Sequence, residues 1–193
     1  MVIYIHGFGG SGEGVKASLF KTALFKEPVL APSLSYVPGL AMTTLSELIE
    51  TLQISSDPAI NNIRLIGSSL GGYYALYLSQ MYNLKAVLLN PAVYPFHSLE
   101  RLLGMAPNFY DQSHFEWNQA HLEMLKKYEV ERLVSPENIF LLLQQGDEVL
   151  DYREAHRKLK GVRSIVQEGG SHSFETIDQL IPEIGSFLGA ELA

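Results

Sequence analysis

Six short runs rich in Val, Ile and Leu recur along the chain, and the stretches between them carry apolar residues at helical spacing. The runs cover residues 2–6, 29–33, 63–67, 86–90, 139–145 and 164–167. Strands that are apolar on both faces need cover on both faces, which is the pattern of a buried parallel sheet. Helical patterns lie near 15–26, 40–53, 70–82, 152–160 and 174–188. The last carries a core-facing stripe of Phe174, Ile177, Leu180, Ile181, Ile184, Phe187 and Leu188. Strand and helix alternating without a repeat or linker predict a three-layer α/β/α domain around a mainly parallel sheet of about six strands. A chain of 193 residues suits one such domain with its own core.

One interval breaks this rhythm. Residues 94–135 are too long for a simple crossover between the fourth and fifth strands. Residues 94–117 hold Tyr94, Phe96, Phe109, Tyr110, Phe115 and Trp117, where average usage would give about two aromatics. Two readings fit: an extra helical pair packed on the body, or a small helical cap that walls a pocket with apolar rings. The aromatic excess favours the cap, inserted at about 94–135 in a single domain spanning 1–193.

Composition removes several function classes. Hydrophobic content of 47% and charged content of 18% describe an ordinary globule. The net charge of −7, with no run of Lys or Arg, disfavours nucleic acid or an anionic membrane as the main partner. The absence of cysteine excludes disulfides, thiolate zinc sites and cysteine nucleophiles. The start, MVIYIHGFGG, lacks the basic residues and apolar length of a signal peptide, and no apolar run reaches the length of a membrane span. A cytoplasmic protein acting on a small molecule is the expectation.

The chemistry-bearing segments lie at strand ends. Gly7-Phe8-Gly9-Gly10-Ser11-Gly12 fits a dinucleotide-binding pattern, but no acidic residue closes the second strand to hold a ribose. No Gly-Lys-Ser/Thr follows it, so it is not a phosphate loop either. The remaining use of HGFGG is an oxyanion loop, in which the N–H of Phe8 points at a developing negative oxygen. Gly67-Ser68-Ser69-Leu70-Gly71 joins a strand-like NNIRLIG to a helix-like LGGYYALYLSQ. Ser69 therefore stands on a strand-to-helix turn, where a nucleophile is held in strained backbone, and the N–H of Leu70 is a second oxyanion donor. Ser68 lacks that frame.

A serine nucleophile needs a base, and the base needs an orienting acid. Of six histidines, His172 follows the last strand in the Gly-rich QEGGSHSF and should reach the carboxyl edge of the sheet, where Ser69 also emerges. His6 ends the first strand beside the glycine loop and is expected to hydrogen-bond there. In QQGDEVLDYREA, Asp147 sits directly at the strand's end and is the better orienter. Glu148 is expected to point away. Asp151, three residues before Glu154, resembles a helix cap with Asp in place of the usual Ser/Thr.

The order Ser69, Asp147, His172, each after a separate strand, is that of the α/β-hydrolases. The chain resembles that superfamily and, more narrowly, the small bacterial YqiA/YcfP esterase family. The likeness runs through YIHGFGGS, GSSLGGYYA, LNPAVYPF, QQGDEVLDYREA and EGGSHSF, and so covers essentially the whole chain. It implies a compact hydrolase fold lacking the first two strands of the usual sheet. It also implies a serine esterase or acyl thioesterase acting on short- to medium-chain acyl groups, with Ser69 as nucleophile, His172 as base and Asp147 as acid. No metal or cofactor is implied. Some relatives look as if they have lost the elbow serine; this sequence keeps it. Tyr94 stands where relatives often carry arginine after NPAV. The rival readings are an amidase or C–C bond hydrolase with the same triad, and a hydrolase-fold module that binds without catalysis.

Overall fold

A computed structural model describes residues 1–24 and 26–190. Six strands form the central sheet: β1 (Val2–Ile5), β2 (Val29–Leu30), β3 (Arg64–Ser68), β4 (Lys85–Leu89), β7 (Ile139–Gln144) and β8 (Arg163–Gln167). Their order is β2-β1-β3-β4-β7-β8, and every neighbouring pair is parallel. All six expected strands are present. The second is shorter than its apolar run, because Pro28 and Pro32 bracket it and cannot donate to a ladder.

Alternation along the strands divides the core in two. Ile3, Ile5, Leu65, Leu88 and Leu141 pack beneath α2 (Pro38–Gln53), α4 (Leu70–Tyr82) and α7 (Tyr152–Lys158). Val2, Tyr4, Ile66, Val87 and Leu142 pack against α1 (Val15–Ala23) and α8 (Ile181–Leu188). This is the three-layer arrangement that the apolar strands require. A single-turn helix, α3 (Pro58–Asn61), leads into β3. Of the stretch 15–26, the helix covers Val15–Ala23, and Phe25 lies outside the described residues.

Two expectations need correction. The stretch 174–188 is not one helix: Phe174 has φ 56°, a 3₁₀ turn spans Ile177–Leu180, and α8 begins only at Ile181. Pro182 explains the late start, since proline is tolerated in the first helical turn but not inside. The interval 94–135 is only partly helical. It contains α5 (Pro95–Ser98), a 3₁₀ turn (Glu100–Leu102) and α6 (Gln119–Lys126), but also an antiparallel ribbon of β5 (Gly104–Pro107) and β6 (His114–Trp117). Among the described residues no helix is long and apolar enough to cross a membrane.

Candidate active site

Parallel strands deliver their carboxyl ends to one edge, and the chemistry-bearing loops gather there. Ser69 follows β3 with φ 56° and ψ −120°, outside the ordinary wells of an L-residue. Its N–H donates to the Leu89 carbonyl at 3.0 Å, which pins the turn to β4. The turn requires close approach: a Cβ on Gly67 would strike the Gly71 carbonyl, and one on Gly71 would strike the carbonyl of Ile5. Leu70 is the first residue of α4, so its amide has no partner within the helix.

The structure brings Ser69, His172 and Asp147 into one row. His172 Nε2 lies 3.0 Å from Ser69 Oγ, and His172 Nδ1 lies 2.8 Å from Asp147 Oδ2. The other carboxylate oxygen, Asp147 Oδ1, accepts from the amides of Val149 at 2.9 Å and Leu150 at 2.8 Å. The Asp147 side chain is 2% exposed and that of His172 21%. Burial disfavours the Asp147 charge, but the hydrogen bond from His172 and the two amides outweigh it. The carboxyl is held below the usual carboxylate range. An ionised Asp147 accepts from Nδ1–H and leaves Nε2 of His172 as the acceptor facing the serine hydroxyl.

His6 does hold the glycine loop. Its Nε2 accepts from the Leu34 amide at 2.9 Å, so Nδ1 carries the proton and donates to the Gly7 carbonyl at 2.8 Å. Burial lowers its pKa and keeps it neutral. Asp151 caps α7 by accepting from the Arg153 amide at 3.0 Å and also pairs with the Arg153 guanidinium.

Glu148 does not point away. Its Oε2 accepts from the His172 amide at 3.0 Å. Two buried polar side chains at strand ends hold the neighbouring peptide: Gln144 Oε1 accepts from the Ser171 amide at 3.0 Å, and Asn90 Nδ2 donates to the Ser171 carbonyl at 3.0 Å. Asn90 Oδ1 in turn accepts from the Gln144 amide at 2.9 Å, which links the two strands beneath the loop. The histidine loop is thus held at three consecutive backbone groups. A polar residue at the end of an otherwise apolar strand is the sequence signal that could have found Asn90 and Gln144.

A cavity of about 850 Å³ opens beside Ser69 and His172, lined mainly by apolar side chains including Leu19, Leu99, Leu102, Val149 and Ile177. Of the six rings at 94–117, only Phe109 lines it. The others mostly pack inward. Trp117 is fully buried and meets the Phe8 ring edge-on at 4.9 Å, while Phe115 packs on Phe8 at 5.3 Å and stacks on Tyr36 at 4.6 Å. The Phe109 amide donates to the Gly9 carbonyl at 2.7 Å. The ribbon therefore sits on the glycine loop and fixes Phe8 from above. Tyr94 faces the Lys158 ammonium, 4.2 Å from its ring centre. Among the described residues no group of three His, Asp or Glu stands where it could hold a metal ion.

The uncharacterised protein family UPF0227 matches residues 1–189. The chain belongs to that family. The UPF0227 protein YcfP of Escherichia coli O9:H4 (strain HS) is 22% identical over 190 residues, covering 97% of this chain and 98% of the relative. The narrower resemblance read from the sequence is thereby met. Among solved structures, mouse alpha/beta hydrolase domain-containing protein 10 superposes with a TM-score of 0.74 at 16% identity, covering 97% of this chain and 89% of that one. The esterase domain of a Rhodothermus marinus protein gives 0.68 at 18% identity, covering 96% and 85%. These likenesses show that this UPF0227 member has the α/β-hydrolase fold.

Proposed function

We propose that the protein is a serine hydrolase that cleaves carboxylic esters or acyl thioesters through an acyl-enzyme. The hydrogen-bonded row from Ser69 through His172 to Asp147 carries this reading. Ser69 Oγ attacks the carbonyl carbon while His172 Nε2 takes its proton. The carbonyl oxygen becomes an anion held by the amides of Phe8 and Leu70. Collapse expels the alcohol or thiol, which takes the proton from His172. A water then attacks the acyl-Ser69 ester, deprotonated by the same nitrogen, and the acid leaves with Ser69 restored. Asp147 stays ionised and stabilises the imidazolium in each half.

Two further observations support this reading. The strained backbone at Ser69 is the kind of outlier that folds retain at reactive positions. The cavity falls in the size range of small-molecule sites, and its apolar walls suit a short or medium acyl chain. The neighbours of the fold include an esterase domain, which agrees with the proposed reaction class.

A fluorophosphonate probe tests the reading, because it modifies only an activated serine. The wild-type protein should be labelled and should hydrolyse p-nitrophenyl butyrate. Ser69→Ala should lose both while folding normally, and Ser68→Ala should be labelled. An unlabelled, inactive wild-type protein would make the fold a binding module instead.

A further inference from the structure

The cavity beside Ser69 is lined by charges of both signs, and they differ in how they are engaged. Four formally charged side chains line it: Lys16, Arg101, Glu148 and Glu175. Both acids are engaged in the histidine loop. Glu148 accepts from the His172 amide at 3.0 Å, and Glu175 accepts from the Ser171 hydroxyl at 3.4 Å. Among the described residues neither Lys16 nor Arg101 has a hydrogen-bond or ion-pair partner; Lys16 feels only the nearby charge of Asp147. The two cations come from separate elements, α1 and the turn at Glu100–Leu102. Both carboxylates keep their charge, but they are held by the histidine loop, whereas the two cations facing this cavity lack a partner among the described residues.

Lys16 is the stronger of the two. It is half-buried on α1, between Val15, which is 87% exposed, and the core residue Ala17. Leu19, one turn later on the same face, lines the cavity with it. Burial lowers its pKa, and Asp147 pulls it back up. A partly desolvated ammonium against apolar walls is under-satisfied, and an incoming anion relieves that.

We propose that Lys16, with Arg101, binds an anionic group of the substrate, so that the ester or thioester cleaved at Ser69 carries a carboxylate or phosphate. This rests on the hydrolase reading above. The apolar walls take the hydrocarbon part, while the cations select against neutral esters of the same length.

Matched substrates test this, and they separate the two sources of the anion. One pair is mono-p-nitrophenyl glutarate against p-nitrophenyl valerate, which places a carboxylate or a methyl at the end of the acyl chain. The other is butyryl-CoA against its N-acetylcysteamine thioester, which keeps or removes the phosphates of the leaving group. In one pair kcat/KM should favour the anion, and Lys16→Met should cut that ratio at least about tenfold, chiefly through KM, as for a charge-assisted hydrogen bond. Lys16→Arg should restore most of it.

The proposal is overturned if wild type prefers the neutral partner in both pairs, or if Lys16→Met lowers both partners equally. Equal loss would mean that Lys16 acts only through the charge on Asp147. If no ester is cleaved at all, the hydrolase reading fails by itself. Calorimetric binding of monomethyl glutarate against methyl valerate, in wild type and Lys16→Met, then decides the cation site independently. Equal affinities there would sink it.

Discussion

Replacing Asp147 by Asn is the sharpest perturbation of the proposed machinery, because it changes little but the direction of one hydrogen bond. An amide oxygen in the place of Oδ1 can still accept from the Val149 and Leu150 amides, so the turn keeps its support. The NH₂ group then occupies the position of Oδ2, 2.8 Å from His172 Nδ1, and can only donate there. Nδ1 must become the acceptor and the proton moves to Nε2, which faces Ser69 Oγ at 3.0 Å. The base now carries a hydrogen where it needs a lone pair. The expected cost is about 10⁴-fold in kcat, or about 5.5 kcal/mol of transition-state stabilisation, as for other triads trapped in the wrong tautomer. Steady-state hydrolysis of p-nitrophenyl butyrate measures it, with thermal unfolding run alongside to show that folding is kept. A loss of less than about tenfold, with the fold intact, would refute the role given to Asp147.

Glu148→Gln keeps an acceptor for the His172 amide but removes its charge, so kcat should fall modestly with unchanged KM; Glu148→Ala should lower kcat further, and equal kcat in all three proteins would show the contact to be idle. Phe109→Ala should move the best acyl chain length in a p-nitrophenyl ester series, since that ring lines the cavity. Trp117→Ala should instead cost about 3–5 kcal/mol in chemical denaturation, as for other buried large-to-small changes. Acidification should destabilise the fold, and two groups in and beside the site contribute to this. Asp147 has a lowered folded pKa, so its contribution is complete above its unfolded value and is lost as pH falls through the folded one. His6 is also lowered, so stability should decline once pH drops below the unfolded imidazole value of about 6.5, as the unfolded chain takes up a proton that the fold resists. Urea titrations of His6→Gln and wild type from neutral to mildly acid pH should therefore converge, and parallel curves would remove His6 from this account.

The parts of the fold that were legible are those whose side chains have no choice. The sheet strands, apolar on both faces, had to be covered on both, and Gly67 and Gly71 had to frame a tight turn. Ser69, Asp147 and His172 could be placed because each lies in the loop that follows a separate strand, and the parallel order then carries those loops to one edge. The ribbon formed by β5 and β6 was missed for the opposite reason. Its strands, Gly-Met-Ala-Pro and His-Phe-Glu-Trp, are short and half-exposed; the second alternates over only four residues and the first does not alternate at all. The six aromatics were a true signal of an unusual segment, but composition says nothing of which way a ring faces. Trp117 turned to the core and Phe109 to the cavity. Glu148 was misjudged because its direction depends on the turn that Asp147 builds, a tertiary fact with no local pattern.

The seating of the ribbon on the glycine loop bears on how such a protein can change over evolutionary time. Phe8 is wedged against Phe115 and Trp117, and Gly9 is tied to Phe109 through the backbone. Variation in this insertion would ordinarily be a cheap way to explore new substrates, since surface segments tolerate exchange. Here Phe109, which lines the cavity, also ties down the loop proposed to stabilise the oxyanion, and the rest of its ribbon braces Phe8. A grafted or lengthened ribbon would disturb rate and selectivity together, so a new substrate range is reached more safely through α1 and the turn at Glu100–Leu102, which border the cavity outside the ribbon.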